Sequence, residues 1–74
     1  VMVEEKLYNL IEKEFDIHDI NKDMNIQKDF NVDSISLLEF IMDIEEEFDI
    51  EIEDEDLESL ETVGDLISYI EKLV

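Results

Sequence analysis

The feature that most constrains the fold is a run of apolar residues at helical spacing over Ile35–Phe48. Acidic side chains occupy the opposite side of the same helical wheel, so the pattern predicts an amphipathic helix. Ser36 and Glu39 form an S-x-x-E sequence, which predicts a capping box at the first turn, with Asp33 as the alternative cap. Ser34 is left without a capping role. The predicted buried stripe is Leu37, Leu38, Ile41, Ile44 and Phe48.

Three further helices are predicted, giving an all-α, small four-helix bundle with three longer helices and one short helix. The first runs over residues 3–15, the short one over residues 54–60, and the last over residues 63–73 with Thr62 as its N-cap. Residues 48–53 alternate apolar and acidic side chains, but a lone strand would have no partner here, so no strand is predicted. Spaced apolar side chains predict a long ordered first loop, with a short helical turn at Ile26–Phe30. We expect residues 1–74 to form one domain.

The composition limits the classes of function. Twenty-four acidic residues against five lysines and no arginine give a formal net charge of −19, which predicts basic protein partners and no nucleic acid. The absence of cysteine and the single histidine, His18, argue against a disulfide framework and a zinc centre. The single glycine, Gly64, does not fit the turn of a calcium-binding EF-hand loop. No long apolar run is present, so we expect no membrane insertion, a cytoplasmic location and a monomer.

The motif D-F-N-V-D-S-I precedes the acidic amphipathic helix, and it is followed by E-E-E-F-D-I-E-I, E-D-E-D-L and T-V-G-D-L-I-S-Y-I. With these motifs, the segment from Asp29 to Ile70 resembles an acyl carrier protein. The resemblance implies a carrier rather than an enzyme, in which a phosphopantetheinyl transferase attaches 4′-phosphopantetheine from coenzyme A to Ser34, next to Asp33. The thiol of that arm would hold acyl intermediates as thioesters for fatty-acid or polyketide-type enzymes. Asn31 stands where the family has a glycine, and asparagine tolerates a left-handed backbone.

The resemblance also implies a docking face on the second helix, which would meet basic faces of synthases, reductases and acyltransferases. The expected docking residues are Ile35, Glu39, Met42, Glu45, Glu46, Asp54 and Glu58, with Asp33 beside the attachment residue. An acyl chain would be sheltered between the helices, and Leu57 and Leu66 are larger than many of their counterparts in related fatty-acid carriers, which predicts a small shelter. The residues expected around that space are Leu38, Ile41, Ile44, Phe48, Ile52, Leu57, Leu60 and Leu66.

Two other functions remain open at this point. One is an aminoacyl or peptidyl carrier of a specialised pathway. The other is an acidic protein-interaction module without a prosthetic group. A serine hydrolase is not supported, because Ser34 lacks a G-x-S-x-G elbow and His18 lies sixteen residues earlier in the loop. We also expect crowded carboxylates to raise one another's pKa, so that stability falls as pH rises.

Overall fold

A computed structural model describes residues 2–30 and 32–74, and within them the chain is all-helical. Asn31, for which a left-handed backbone was considered, lies outside the described residues. One isolated bridge, between Asn25 and Thr62, is the only β-type pairing in the described part of the chain. The predicted all-α bundle of three longer helices and one short helix is therefore confirmed. Its helices are α1 (Val3–Phe15), α2 (Ser34–Phe48), α3 (Asp54–Leu57) and α4 (Val63–Leu73).

The core lies where α1 packs against α2 and α4. Phe15 connects it to the first loop, because its ring stacks on Phe30 with centroids 5.5 Å apart and meets the edge of Phe40 at 5.1 Å. Burial of these apolar side chains away from water is the main force that holds the helices together. The fully buried side chains are Leu7, Ile11, Phe40, Ile44, Val63, Leu66 and Ile70.

The described part of the first loop, residues 16–30, is tied to the start of α4, which agrees with the prediction of an ordered loop. The Ile26 N–H donates to the Glu61 carbonyl at 2.9 Å, and the Val63 N–H donates to the Met24 carbonyl at 3.0 Å. Gly64 permits the close approach, since a Cβ there would lie 3.2 Å from the carbonyl oxygen of Lys22. Residues 26–30 form hydrogen-bonded turns rather than a helix.

The ends of the helices differ in part from the predictions. The Thr62 cap is confirmed, since its hydroxyl accepts from the Asp65 N–H at 3.1 Å and the Asp65 carboxylate accepts from the Thr62 N–H at 3.2 Å. The short helix is four residues long and ends at Leu57, and only tight turns continue from there to Leu60. Leu38 was predicted in the buried stripe of α2, which is wrong, because its side chain is 54% exposed.

Candidate functional site

The N-terminus of α2 is capped by Asp33. Its carboxylate accepts a hydrogen bond from the Ser36 N–H at 2.7 Å, and its carbonyl accepts from the Leu37 N–H at 3.0 Å. The capping box predicted at Ser36 and Glu39 is therefore wrong, because α2 begins at Ser34 and places Ser36 inside the first turn. Hydrogen bonds from Ser36 hold the pKa of Asp33 below its usual value, so this carboxylate stays ionised while it caps the helix.

Ser34 is the first residue of α2 and is exposed. Within residues 2–30 and 32–74 its hydroxyl has no hydrogen-bond partner. The backbone amides of the first turn give this end of a 15-residue helix a partial positive charge, which favours a negatively charged group. The hydroxyl is thus accessible for esterification in a position suited to a phosphate. His18 makes no hydrogen bond to this hydroxyl within those residues, and its ring nitrogens lie 4.0 Å from the carboxylates of Glu12 and Asp16.

An exposed apolar strip follows Ser34 along α2. We call Ile35, Leu38 and Met42 the α2 strip; their side chains are 68%, 54% and 64% exposed. Spacings of three and four residues place them on one face of the helix. Ile35 and Met42 were predicted at the docking face, whereas Leu38 was predicted in the buried stripe, although its spacing from both of them was the available signal for exposure.

Acidic residues border this strip on α2, and two further acids are exposed in the α3 region. Glu39 and Glu46 are exposed on α2, and Asp54 and Glu58 are exposed at the start of α3 and just after it. Glu45, also expected at the docking face, is only partly exposed, and its carboxylate accepts the Ile52 N–H at 2.8 Å. Its hydrogen bond holds the segment between α2 and α3 in place.

A cavity of about 20 Å³ lies beside α2 on the side of α3. That volume admits roughly one water-sized group. Of the residues expected around an acyl shelter, four line this cavity, while Ile26, Gln27 and Leu37 were not foreseen. Leu38 faces solvent, and Ile44 is fully buried in the core instead. The cavity is lined by Ile26, Gln27, Leu37, Ile41, Leu57, Leu60 and Leu66.

These features were compared with those of known proteins. The family model described as "Phosphopantetheine attachment site" matches residues 5–70. A relative from Lactobacillus johnsonii, an acyl carrier protein, is 43% identical over 75 residues, which cover 93% of this chain and 94% of the relative. The chain belongs to the acyl carrier protein family.

Other acyl carrier proteins give the same result. The one from Exiguobacterium sp. is 46% identical over 56 residues, covering 76% of this chain and 71% of its own length. The solved structure of the acyl carrier protein from Enterococcus faecalis superimposes with a TM-score of 0.84 at 42% identity, covering 97% of this chain and 94% of the other. A structure from Anaplasma phagocytophilum, described as a putative acyl carrier protein, gives a TM-score of 0.83 at 34% identity over 92% of this chain and 83% of the other.

Membership settles the kind of activity. As an acyl carrier protein, the chain is a carrier rather than an enzyme and uses covalently attached 4′-phosphopantetheine. This role involves a phosphopantetheinyl transferase and acyl-processing enzymes. The N-terminus of α2 fits that group, because it offers an exposed hydroxyl with no hydrogen-bond partner among residues 2–30 and 32–74, at the positive end of a helix.

No group of three or more His, Asp or Glu residues arranged to hold a metal ion is found in the residues described. In the same residues, no helix is long and apolar enough to cross a membrane.

The shifted pKa values only partly follow the expectation that acids raise one another's pKa. Desolvation and the nearby Asp43 raise the pKa of Glu14, which fits it. Asp33 and Asp65 behave in the opposite way, because backbone N–H donors at the starts of α2 and α4 lower the pKa of both carboxyls.

Proposed function

We propose that Ser34 carries the 4′-phosphopantetheine of this acyl carrier protein. The observation that supports this best is the exposed, unpartnered hydroxyl at the first position of α2 in the described structure. We further propose that residues 1–74 act as one carrier domain in the cytoplasm, as a monomer, within a fatty-acid or polyketide-type pathway.

Each residue at this helix end has a distinct task in the proposal. Ser34 supplies the oxygen that becomes the phosphate ester. Asp33 caps the amide of Ser36, so that its own charge is directed to the helix and the Ser34 hydroxyl stays free. The attached group ends in a thiol, which holds the acyl chain as a thioester. The chain has no cysteine, so no protein thiol competes for the acyl group.

The α2 strip and its acidic border form the proposed docking face. Apolar side chains in the strip supply contact area for a groove on the partner, and carboxylates at its edge orient basic residues of that partner. Exposed charge pairs contribute little affinity each, so they mainly speed encounter and fix orientation. Glu45 supports this face indirectly, through its hydrogen bond to the Ile52 N–H. The proposed docking residues are Ile35, Leu38, Glu39, Met42, Glu46, Asp54 and Glu58.

Incubation with coenzyme A, magnesium and a broad-specificity phosphopantetheinyl transferase tests the attachment residue. The intact mass of the wild-type chain should rise by one phosphopantetheine unit, and Ser34→Ala should show no increase. Ser36→Ala is the matched control, because Ser36 lies in the same helical turn and its backbone N–H, which bonds Asp33, is retained. A full mass increase in Ser34→Ala, or none in the wild-type chain, would contradict the proposal.

Charge reversal tests the docking face separately. Glu39→Lys and Glu46→Lys should each slow acyl transfer by a partner enzyme and reduce the dependence of the rate on salt. Glu5→Lys, at an exposed position of α1, is the matched control. Equal rates for all three variants would remove the docking face from the proposal without affecting Ser34.

A further inference from the structure

The cavity beside α2 has one weakly held wall. Two of its lining residues, Ile41 and Leu66, are buried side chains of α2 and α4. Two other lining residues are Leu57, at the end of α3, and Leu60 just after it; both are only partly buried, and α3 has no buried residue. Wall segments with little buried surface open at the lowest free energy, so α3 is the wall that can move.

One side-chain hydrogen bond fastens this wall to the scaffold. The hydroxyl of Tyr69 on α4 donates to the Asp56 carboxylate on α3 at 2.8 Å, in partly buried surroundings. Among the described residues it is the only side-chain hydrogen bond that joins α3 to another helix. This bond also raises the pKa of the Tyr69 hydroxyl, together with its desolvation.

The cavity is reached from the proposed attachment residue along a single helix face. Leu37 and Ile41, which line it, follow Ser34 by three and seven residues and therefore share its side of α2. A volume of about 20 Å³ admits roughly one water-sized group, so an acyl chain beyond its first carbons has to displace a wall. Each methylene that is buried favours the acyl chain inside the cavity over the chain in water by about fourfold. Longer acyl chains therefore have a rising tendency to displace the wall.

We propose that the hydrogen bond between Tyr69 and Asp56 is a latch that restricts the length of acyl chain this carrier shelters. With the latch closed, α3 keeps Leu57 and Leu60 against the cavity, and only a short acyl group enters. When the latch is open, α3 moves outward and longer chains are admitted. Tyr69 and Asp56 are positioning residues in this proposal, which rests on attachment at Ser34.

The latch is tested first without any attached group. Amide hydrogen exchange of the unmodified Tyr69→Phe variant should be about two- to tenfold faster over residues 53–60 than in the wild-type chain, with little change in α1. Phenylalanine keeps the ring and its packing, so the variant is expected to fold. Tyr8→Phe is the matched control, since Tyr8 lies on α1 and does not line the cavity. Unchanged exchange over residues 53–60 in Tyr69→Phe would overturn the latch.

The second measurement uses protein loaded with acetyl-, octanoyl- or dodecanoyl-phosphopantetheine. In the wild-type protein the thermal midpoint should gain nothing beyond the value of the acetyl form, whereas in Tyr69→Phe it should keep rising with acyl-chain length. Asp56→Ala should behave like Tyr69→Phe, and Glu55→Ala, which changes an exposed acid of the same helix, like the wild-type chain. If the loaded Tyr69→Phe and Asp56→Ala variants showed the same dependence of the thermal midpoint on acyl-chain length as the wild-type protein, the latch would be overturned and the attachment at Ser34 would not. Failure of the wild-type chain to load would overturn the proposed function, and with it this use of the cavity.

Discussion

The two sides of this molecule differ in how much buried apolar surface stabilises them. The scaffold of α1, α2 and α4 encloses seven fully buried apolar side chains, whereas α3 has no buried residue and is tied on by one side-chain hydrogen bond among the residues described. The caps follow the same division. Thr62 and Asp65 form a capping box at α4, while Glu53 makes no side-chain hydrogen bond at the start of α3. In the proposed account, α2 therefore stays fixed with its attachment residue, while α3 is the wall that yields to cargo.

Truncation of core and wall residues should show the largest difference. Phe40→Ala removes a fully buried ring that contacts Phe15, so it should lower the free energy of unfolding by about 3–5 kcal/mol. Leu57→Ala should cost about 2 kcal/mol or less, because Leu57 is only partly buried and α3 can collapse onto the space. Urea unfolding of both variants at one pH measures the two values. Equal losses would mean that α3 belongs to the scaffold.

Removal of the α4 cap should have an intermediate effect. Thr62→Ala deletes the hydroxyl that accepts the Asp65 N–H, and we expect a loss of about 1 kcal/mol in the free energy of unfolding. Thr62→Ser is the matched control, because serine caps as well and should keep nearly all of the stability. Chemical unfolding monitored by circular dichroism compares them. If alanine were as stable as serine, the capping box would contribute nothing to the scaffold.

The pH dependence of two carboxyl groups should give the smallest effects, with opposite signs. The pKa of Glu14 is raised on folding, so its stabilising contribution is complete below the unfolded pKa and lost as pH rises through the folded pKa. Glu14→Gln should therefore match the wild-type chain in acid and exceed it at neutral pH, by about 0.5 kcal/mol or less because the group is exposed and screened.

Asp65 provides the contrasting case. Hydrogen bonds from Thr62 and Glu61 lower its pKa, so its contribution is present above the unfolded pKa and lost as pH falls through the folded pKa. Asp65→Asn should be less stable than the wild-type chain at neutral pH, with the difference closing in acid. Thermal midpoints across the acid range measure both variants. A deficit of Asp65→Asn that grew in acid would reverse the assigned sign.

Helical periodicity was sufficient to predict the four helices, and the choice of Thr62 as a cap was correct. The cap of α2 was not decided by sequence, because Asp33 and Ser36 both suit an N-cap and only the actual start at Ser34 excludes Ser36. Leu38 was predicted in the buried stripe of α2 because its spacing fits both that stripe and the exposed α2 strip. Only the packing of α1 against α2 decides which side of the helix is buried.

The docking residues show a second limit of sequence reasoning. Glu45 and Glu46 are adjacent acids with no local signal to distinguish them. The left-handed conformation at Asp49, with a φ of 55°, ends α2. The Ile52 N–H then lies within hydrogen-bond reach of Glu45, which gives that residue a structural role. The Tyr69–Asp56 hydrogen bond was not foreseen for the same reason, since it joins residues 13 positions apart through tertiary packing.

The most direct test is fragmentation mass spectrometry of the native protein, isolated from its own host and digested to the peptide that contains residues 29–39. The phosphopantetheine mass should be found on Ser34, with Ser36 unmodified. A phosphopantetheine group located on Ser36, or on any residue outside this peptide, would contradict the assignment of the α2 N-terminus as the carrier site.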